Sequence, residues 1–215
     1  MNRTHRIVFN HHTGLPQVVS ESARSHSKGR TGGGLGGGFV RSVLCALPLL
    51  GLASAAMAAS SLPSGGVVTS GQVSISSSGS TLSVNQSSGK AAINWTSFSV
   101  GSGYTVNFNQ PSASSVTLNR VVGNEQSVID GVLNANGKVF LVNSNGILFG
   151  SGASVNVGGL VASTLNISDA DFAAGNYVFA GSSAAGSVLN MGTIRAADGG
   201  YVALLGPQVA NEGVI

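Results

Sequence analysis

Val188-Leu-Asn-Met-Gly-Thr-Ile194 and Val209-Ala-Asn-Glu-Gly-Val-Ile215 share the pattern V-x-N-x-G-x-I at an offset of 21 residues. Leu141-Val-Asn-Ser-Asn-Gly-Ile147 fits the same frame, with Leu for Val and Asn for Gly. Short strands could equally build a sandwich, a barrel or a solenoid, and a fixed period of about 20 residues decides for the solenoid. The expectation is an all-β chain wound as a parallel β-helix of about 21 residues per rung.

The sequence on either side agrees. Apolar residues recur at i, i+2 in Val73/Ile75, Leu82/Val84, Ile93/Trp95, Tyr104/Val106/Phe108, Val116/Leu118, Val139/Leu141, Ile147/Phe149, Val155/Val157 and Tyr177/Phe179. That is the period of half-buried strands, and the Gly, Ser and Asn between them are turn formers. Only Ser168-Asp-Ala-Asp-Phe-Ala-Ala174 suits a helix, of a turn or two. Asparagines recur from Asn85 to Asn211, and Asn at equivalent turn positions can hydrogen-bond from rung to rung. Residues 59–215 would give about seven rungs. An uncovered rung exposes unpaired N–H and C=O groups, so Leu62 to Val84 is read as an N-terminal β cap. No second cap is visible, and the sequence stops at Ile215 on the last residue of a repeat, as if further rungs follow.

Composition divides the chain in two. Residues 1–58 read as a long export signal: an extended region over 1–30, a Gly-rich and basic spacer over 31–42, and a hydrophobic core with cleavage site over 43–58. The apolar core is too short for the roughly 20 residues that span a bilayer, and small residues place cleavage between Ala58 and Ala59. All four histidines (His5, His11, His12, His26) and the single Cys45 fall in this leader. The mature chain would therefore lack both the usual general base and the soft-metal ligand. From Ala59 onward the cations are Lys90, Arg120, Lys138 and Arg195, and the anions Glu125, Asp130, Asp169, Asp171, Asp198 and Glu212. Four scattered cations do not make a nucleic-acid surface. Nor do the dispersed carboxylates resemble the clustered aspartates of β-helical polysaccharide lyases. No enzyme activity and no cofactor are expected; Asp169 and Asp171 read as a helix N-cap.

Two resemblances carry the functional reading. Met1 to Asn10, Thr13-Gly14, Val18 to Arg24 and Lys28-Gly29 resemble the extended signal-peptide region of large Gram-negative secreted adhesins and autotransporters. Ile93-Asn-Trp-Thr-Ser-Phe98, Val106-Asn-Phe-Asn-Gln-Pro111, Leu118-Asn-Arg-Val121, Asp130 to Gly137, Val139 to Gly150 and Val155 to Thr164 resemble, in order, the two-partner secretion domain of filamentous haemagglutinin-like exoproteins. The resemblance implies a right-handed β-helix over 59–215 with an N-terminal cap. It further implies Sec export to the periplasm, recognition by the periplasmic domains of a dedicated outer-membrane β-barrel transporter, and release from a Gram-negative cell to its surface or medium. The full product would be an adhesin reaching host cells or other bacteria through later repeats. The alternatives are a haem- or haemopexin-acquisition exoprotein and a contact-dependent inhibition toxin.

The family's Asn-Pro-Asn-Gly-Ile motif reads here Asn143-Ser144-Asn145-Gly146-Ile147. Serine leaves the turn possible but less pre-organised than proline would, and Asn145 or Gly146 is expected to take left-handed geometry. Trp95, Phe98, Phe108, Asn119 and Arg120 are framework candidates. Arg120 is read either as a solvated cation or as the buried partner of a carboxylate such as Asp130.

Overall fold

In the computed structural model, residues 5–10, 15–20, 62–181 and 185–215 are described, the first two segments by their backbone alone. The Ala58–Ala59 cleavage site lies outside them. Within the leader unit, β1 (His5–Asn10) pairs antiparallel with β2 (Leu15–Ser20), from His5 opposite Ser20 to Asn10 opposite Leu15.

The second unit opens with a cap of two antiparallel strands, β3 (Val67–Ser70) and β4 (Val73–Ser78). Parallel winding then begins. The first rung holds β5 (Thr81–Gln86) and β6 (Lys90–Trp95), the second β7 (Thr105–Asn109), β8 (Val116–Val121) and β9 (Ser127–Ile129). The third holds β10 (Val132–Ala135), β11 (Lys138–Val142) and β12 (Ile147–Phe149). In the fourth, β13 (Ser154–Val157) and β14 (Gly159–Ser163) are followed by an excursion of β15 (Asn166–Ile167), α1 (Asp169–Ala174) and β16 (Phe179–Ala180), before β17 (Val188–Asn190) closes the turn. The fifth is β18 (Thr193–Ala196), β19 (Val202–Leu205) and β20 (Val209–Asn211). Stacked rungs form three parallel sheets, β5-β7-β10-β13-β18, β6-β8-β11-β14-β19 and β9-β12-β17-β20, with β4 and β3 adding antiparallel edges to the first two.

The parallel β-helix is thus as the repeat implies, but its winding differs from the expectation in four ways. The described residues form five rungs rather than seven, because successive steps down the first sheet, Thr81 to Thr105 to Val132 to Ser154 to Thr193, take 24, 27, 22 and 39 residues. The 21-residue period holds between β17 and β20, where Val188 faces Val209. The Leu141 copy of the repeat is not equivalent: Ile147, not Leu141, stands in register with Val188. The cap ends sooner, since Thr81 to Gln86 already pairs parallel with β7. And Tyr177/Phe179 belong to the excursion, not to a rung, β16 pairing antiparallel with β15.

Side chains that point inward fill the lumen: Leu82, Val84, Ile93, Trp95, Val106, Phe108, Leu133, Val139, Leu141, Ile147, Phe149, Val155 and Ile194 among them. A second apolar cluster lies outside. Ala92, Val116, Leu118, Phe140, Val142 and Val161 project from the outer face of the β6-β8-β11-β14 sheet onto Ile167 and Phe172 of the excursion. That sheet is buried on both faces, so Val139 to Val142 is apolar without alternation. On β8 the period-2 apolar pair Val116/Leu118 faces outward, and Thr117 and Asn119 face the lumen. The excursion helix starts at Ser168, whose Oγ accepts from Asp171 N, and stops at Gly175 with φ of 82°. Ser168 is therefore the N-cap; Asp169 and Asp171 sit in the first turn, where carboxylates favour the helix dipole.

Candidate functional site

The turn Asn143 to Gly146 connects β11 to β12, and its asparagine builds it. Asn143 is fully buried; its Oδ1 accepts from Asn145 N at 2.9 Å and from Asn145 Nδ2 at 2.9 Å, an Asx-turn that holds the next two residues in place. Gly146 N donates to Asn143 O at 3.1 Å. Gly146 has φ of 116°, whereas no non-glycine residue among those described has positive φ. The left-handed conformation thus falls on Gly146 alone and not on Asn145. The Asn143–Gly146 hydrogen bond, with no positive φ at Ser144 or Asn145, fits a type I turn and excludes type II.

Neighbouring rungs stitch this turn down. Asn143 Nδ2 donates to Glu125 O and to Ser127 Oγ, each at 2.9 Å, and Asn145 Nδ2 donates to Gly123 O at 2.9 Å. From the following rung, Gly186 N donates to Ser144 O at 2.8 Å, and Ile147 N donates to Ser187 O at 2.9 Å. A Cβ on Gly186 would lie 2.6 Å from the Asn145 carbonyl carbon, so only glycine allows that close approach. Ser144 and Asn145 are exposed while Gly146 and Ile147 are buried. The result is a rigid, solvent-facing backbone corner anchored on the rungs before and after it.

The remaining candidates divide by face. Trp95, Phe98 and Phe108 are buried in the lumen, Trp95 edge-on to Phe98 with centroids 5.6 Å apart and Phe98 stacked on Phe108 at 6.5 Å. Asn119, also fully buried, accepts the Trp95 indole N–H at 3.0 Å and so satisfies a donor that would be costly to leave unpaired. Arg120 lies outside and pairs with Asp169 at 2.8 Å, not with Asp130. Its guanidinium also donates to Ile167 O at 2.8 Å and to Asn166 Oδ1 at 3.1 Å, clamping the start of the excursion to the sheet. Lys90 clamps the other end, donating to Ala173 O at 2.8 Å, the end of α1 where a cation is favoured.

Some structural residues gave no signal in the sequence. Gln86, Gln110 and Thr117 form a buried chain at the first corner: Thr117 Oγ1 donates to Gln86 Oε1 at 2.6 Å, Gln110 Nε2 to Thr117 Oγ1 at 3.0 Å, and Gly137 N to Gln110 Oε1 at 2.8 Å. Asparagine ladders do form, but within strands rather than at turns. Asn134 donates to Asn107 at 3.0 Å and Asn156 to Asn134 at 3.3 Å on the outer face of the first sheet, and Asn190 donates to Asn211 at 2.7 Å on the third. Among the described residues no three His, Cys, Asp or Glu side chains gather as metal ligands, and no helix is long and apolar enough to cross a membrane.

The family model of the TPS secretion domain matches residues 59–215, and that of the extended signal peptide of the type V secretion system matches residues 1–93. The chain belongs to the TPS secretion domain family. Among solved structures, the HMW1 secretion domain from Haemophilus influenzae superposes with a TM-score of 0.65 at 33% identity, over 71% of this chain and 41% of that one. Two relatives are heme/hemopexin-binding proteins of Haemophilus influenzae: one, from strain Rd, is 39% identical over 72% of this chain and 18% of its own length, and the other is 42% identical over 46% and 11%. The chain spans less than a fifth of the curated relatives it matches. A TPS domain behind an extended signal peptide means Sec export, transit of the periplasm and secretion from a Gram-negative cell through an outer-membrane transporter partner.

Proposed function

We propose that the TPS domain is the secretion module of a non-enzymatic, adhesin-type exoprotein, gripped by the periplasmic domains of its transporter before export. The observation that carries this reading is the match of both the extended signal peptide and the TPS domain in one chain. The domain offers its transporter an exposed, rigid corner at Ser144–Asn145 on a scaffold whose charges are few and scattered. Host-cell or bacterial surfaces are then contacted by other parts of the full gene product. The test is secretion of the full gene product with and without its transporter. Release confined to the strain carrying the transporter is expected; equal release in both would refute the module.

A second reading is favoured by the names of the relatives: a haem- or haemopexin-binding exoprotein exported by the same domain. Residues 59–215 contain neither His nor Cys, so iron ligation by those residues would fall to other parts of the protein. Retention of the secreted full-length protein on hemin-agarose distinguishes this reading from the adhesin, which should flow through.

A further inference from the structure

The outer face of the first sheet carries a groove. Two adjoining recesses, of about 350 Å³ and 320 Å³, share Ala135, Asn136 and Asn156, and each falls within the ~300–1,000 Å³ of ligand pockets. Asn107, Asn109 and Asn134 continue the wall at one end, Gly158, Arg195 and Ala197 at the other. Asn107, Asn134, Asn156 and Arg195 stand in register on β7, β10, β13 and β18. Three steps of about 4.8 Å make a length of about 14 Å, that of a trisaccharide.

Its polar groups are held in place but not used up. Asn136 accepts from Gln110 N and donates to Gln110 O, each at 2.7 Å, and the ladder fixes Asn134 between Asn107 and Asn156. Asn107 Nδ2, Asn109 Oδ1 and Asn156 Oδ1 are left without a partner among the described residues. Asn107 Nδ2 and Asn156 Oδ1 are not sealed from solvent, and Asn109 is exposed. Arg195, also exposed, forms no ion pair with any carboxylate among the described residues, Asp198 included; the ion pair found there is that of Arg120.

These groups select the ligand. An apolar molecule fits poorly because no aromatic ring faces the groove: Phe108, at its edge, turns inward onto Phe98. A partner's strand finds no free backbone, since β10 at the base is paired on both sides. Each amide presents a donor and an acceptor in one plane, the complement of neighbouring sugar hydroxyls, and a free guanidinium forks onto a carboxylate. We propose that the groove binds a short acidic oligosaccharide, its hydroxyls on the amides of Asn107, Asn109 and Asn156 and its carboxylate on Arg195. The TPS domain then has a ligand of its own, separate from its transporter and from the surfaces contacted by other parts of the full gene product.

Two variants separate the charge from the amides. Full-length secreted protein is screened on immobilised uronic-acid trisaccharides and on neutral trisaccharides of the same linkages, and the retained ones are titrated against wild type and variants, with melting temperatures measured alongside. Wild type should retain uronic-acid trisaccharides in preference to neutral ones. Arg195→Gln, at an exposed position, should melt as wild type and bind the uronic-acid trisaccharide about tenfold more weakly, the loss of a charge-assisted hydrogen bond, with its affinity for the neutral one unchanged. Asn107→Ala should weaken both by about three- to tenfold, the loss of one neutral hydrogen bond. No retention by wild type, or wild-type affinity in either folded variant, would overturn the site. So would weaker binding of the variants to the transporter's purified periplasmic domains with oligosaccharide affinity intact. If Asn107→Ala fails to fold, Arg195→Gln decides alone.

Discussion

Two sheets of this β-helix share a backbone arrangement and differ on their outer faces. In β5-β7-β10-β13-β18 the column Asn107, Asn134 and Asn156 faces solvent as an amide ladder. In β6-β8-β11-β14-β19 the corresponding positions are Ala92, Leu118, Phe140 and Val161, and the chain leaves the fourth rung to lay β15, α1 and β16 over them. Parallel register sets like above like, so one residue type repeated over several rungs becomes a surface property. An amide column satisfies itself and water; an apolar column requires a second layer. The layer is held by packing in the middle and by Arg120 and Lys90 at its ends.

The largest effect should come from breaking the covered face. Phe140 is fully buried and touches the rings of Phe172, Tyr177 and Phe179, with centroids 4.8 to 6.2 Å away. Phe140→Ala should cost about 3–5 kcal/mol, read by denaturant unfolding of the secreted protein. A loss no greater than that of an exposed substitution would show that the excursion rests on the sheet without contributing to its stability.

Gly146 ends the turn that leads from that sheet, after β11, into β12. With φ of 116°, and a Cβ that would come within 3.1 Å of Gln126 Nε2 and 3.3 Å of Ser187 O, Gly146→Val combines backbone strain with crowding. A loss of about 1–3 kcal/mol follows, accompanied by lower secretion. Melting at the wild-type temperature would mean that the turn is not built as described.

The open face should be far more tolerant. Asn134→Ala breaks the ladder at its centre, but both neighbours are only part-buried and can bond to water instead. Its cost should be about 1 kcal/mol or less. A cost near that of Phe140→Ala would erase the contrast between the faces.

Ser144→Pro is expected to be neutral or stabilising, by up to about 1 kcal/mol. Ser144 occupies the second position of a type I turn, where proline's fixed φ fits, and its N–H donates to nothing among the described residues. A drop in melting temperature would show that proline disturbs Asn143, whose conformation it restricts.

The rungs were legible in the sequence because inward side chains alternate; which face is inward was not. On β8 the alternating apolar residues Val116 and Leu118 point out, and the lumen receives Thr117 and Asn119, since period 2 gives two faces without naming the core. Tyr177/Phe179 imitates a rung strand for the same reason. The V-x-N-x-G-x-I frame identified β17 and β20 correctly, yet misplaced Leu141, because Gly and Asn recur at many corners of variable length. The turn at Asn143 was read from the family motif, whereas the Asn143 side-chain bonds that build it appear only in the structure. The partner of Arg120 was not legible, because Asp169 comes from the excursion, 49 residues away.

The smallest effect separates the faces by titration. The amide ladder has no proton to lose, whereas the covered side carries Tyr177 and Tyr201, with Lys90 Nζ 6.0 Å from the first ring and Lys138 Nζ 5.4 Å from the second. Burial raises the Tyr177 phenol above its ordinary 10.0, and burial followed by the charge of Tyr177 raises Tyr201. The folded state therefore holds these protons more tightly than the unfolded chain. Their contribution is fully present below about pH 10 and is lost as pH rises through the folded values. Unfolding free energy should thus decline above pH 10, and the decline should be shallower in the Tyr177→Phe/Tyr201→Phe double variant, which leaves both lysines in place. An identical alkaline slope in wild type and double variant would remove the phenols from the account.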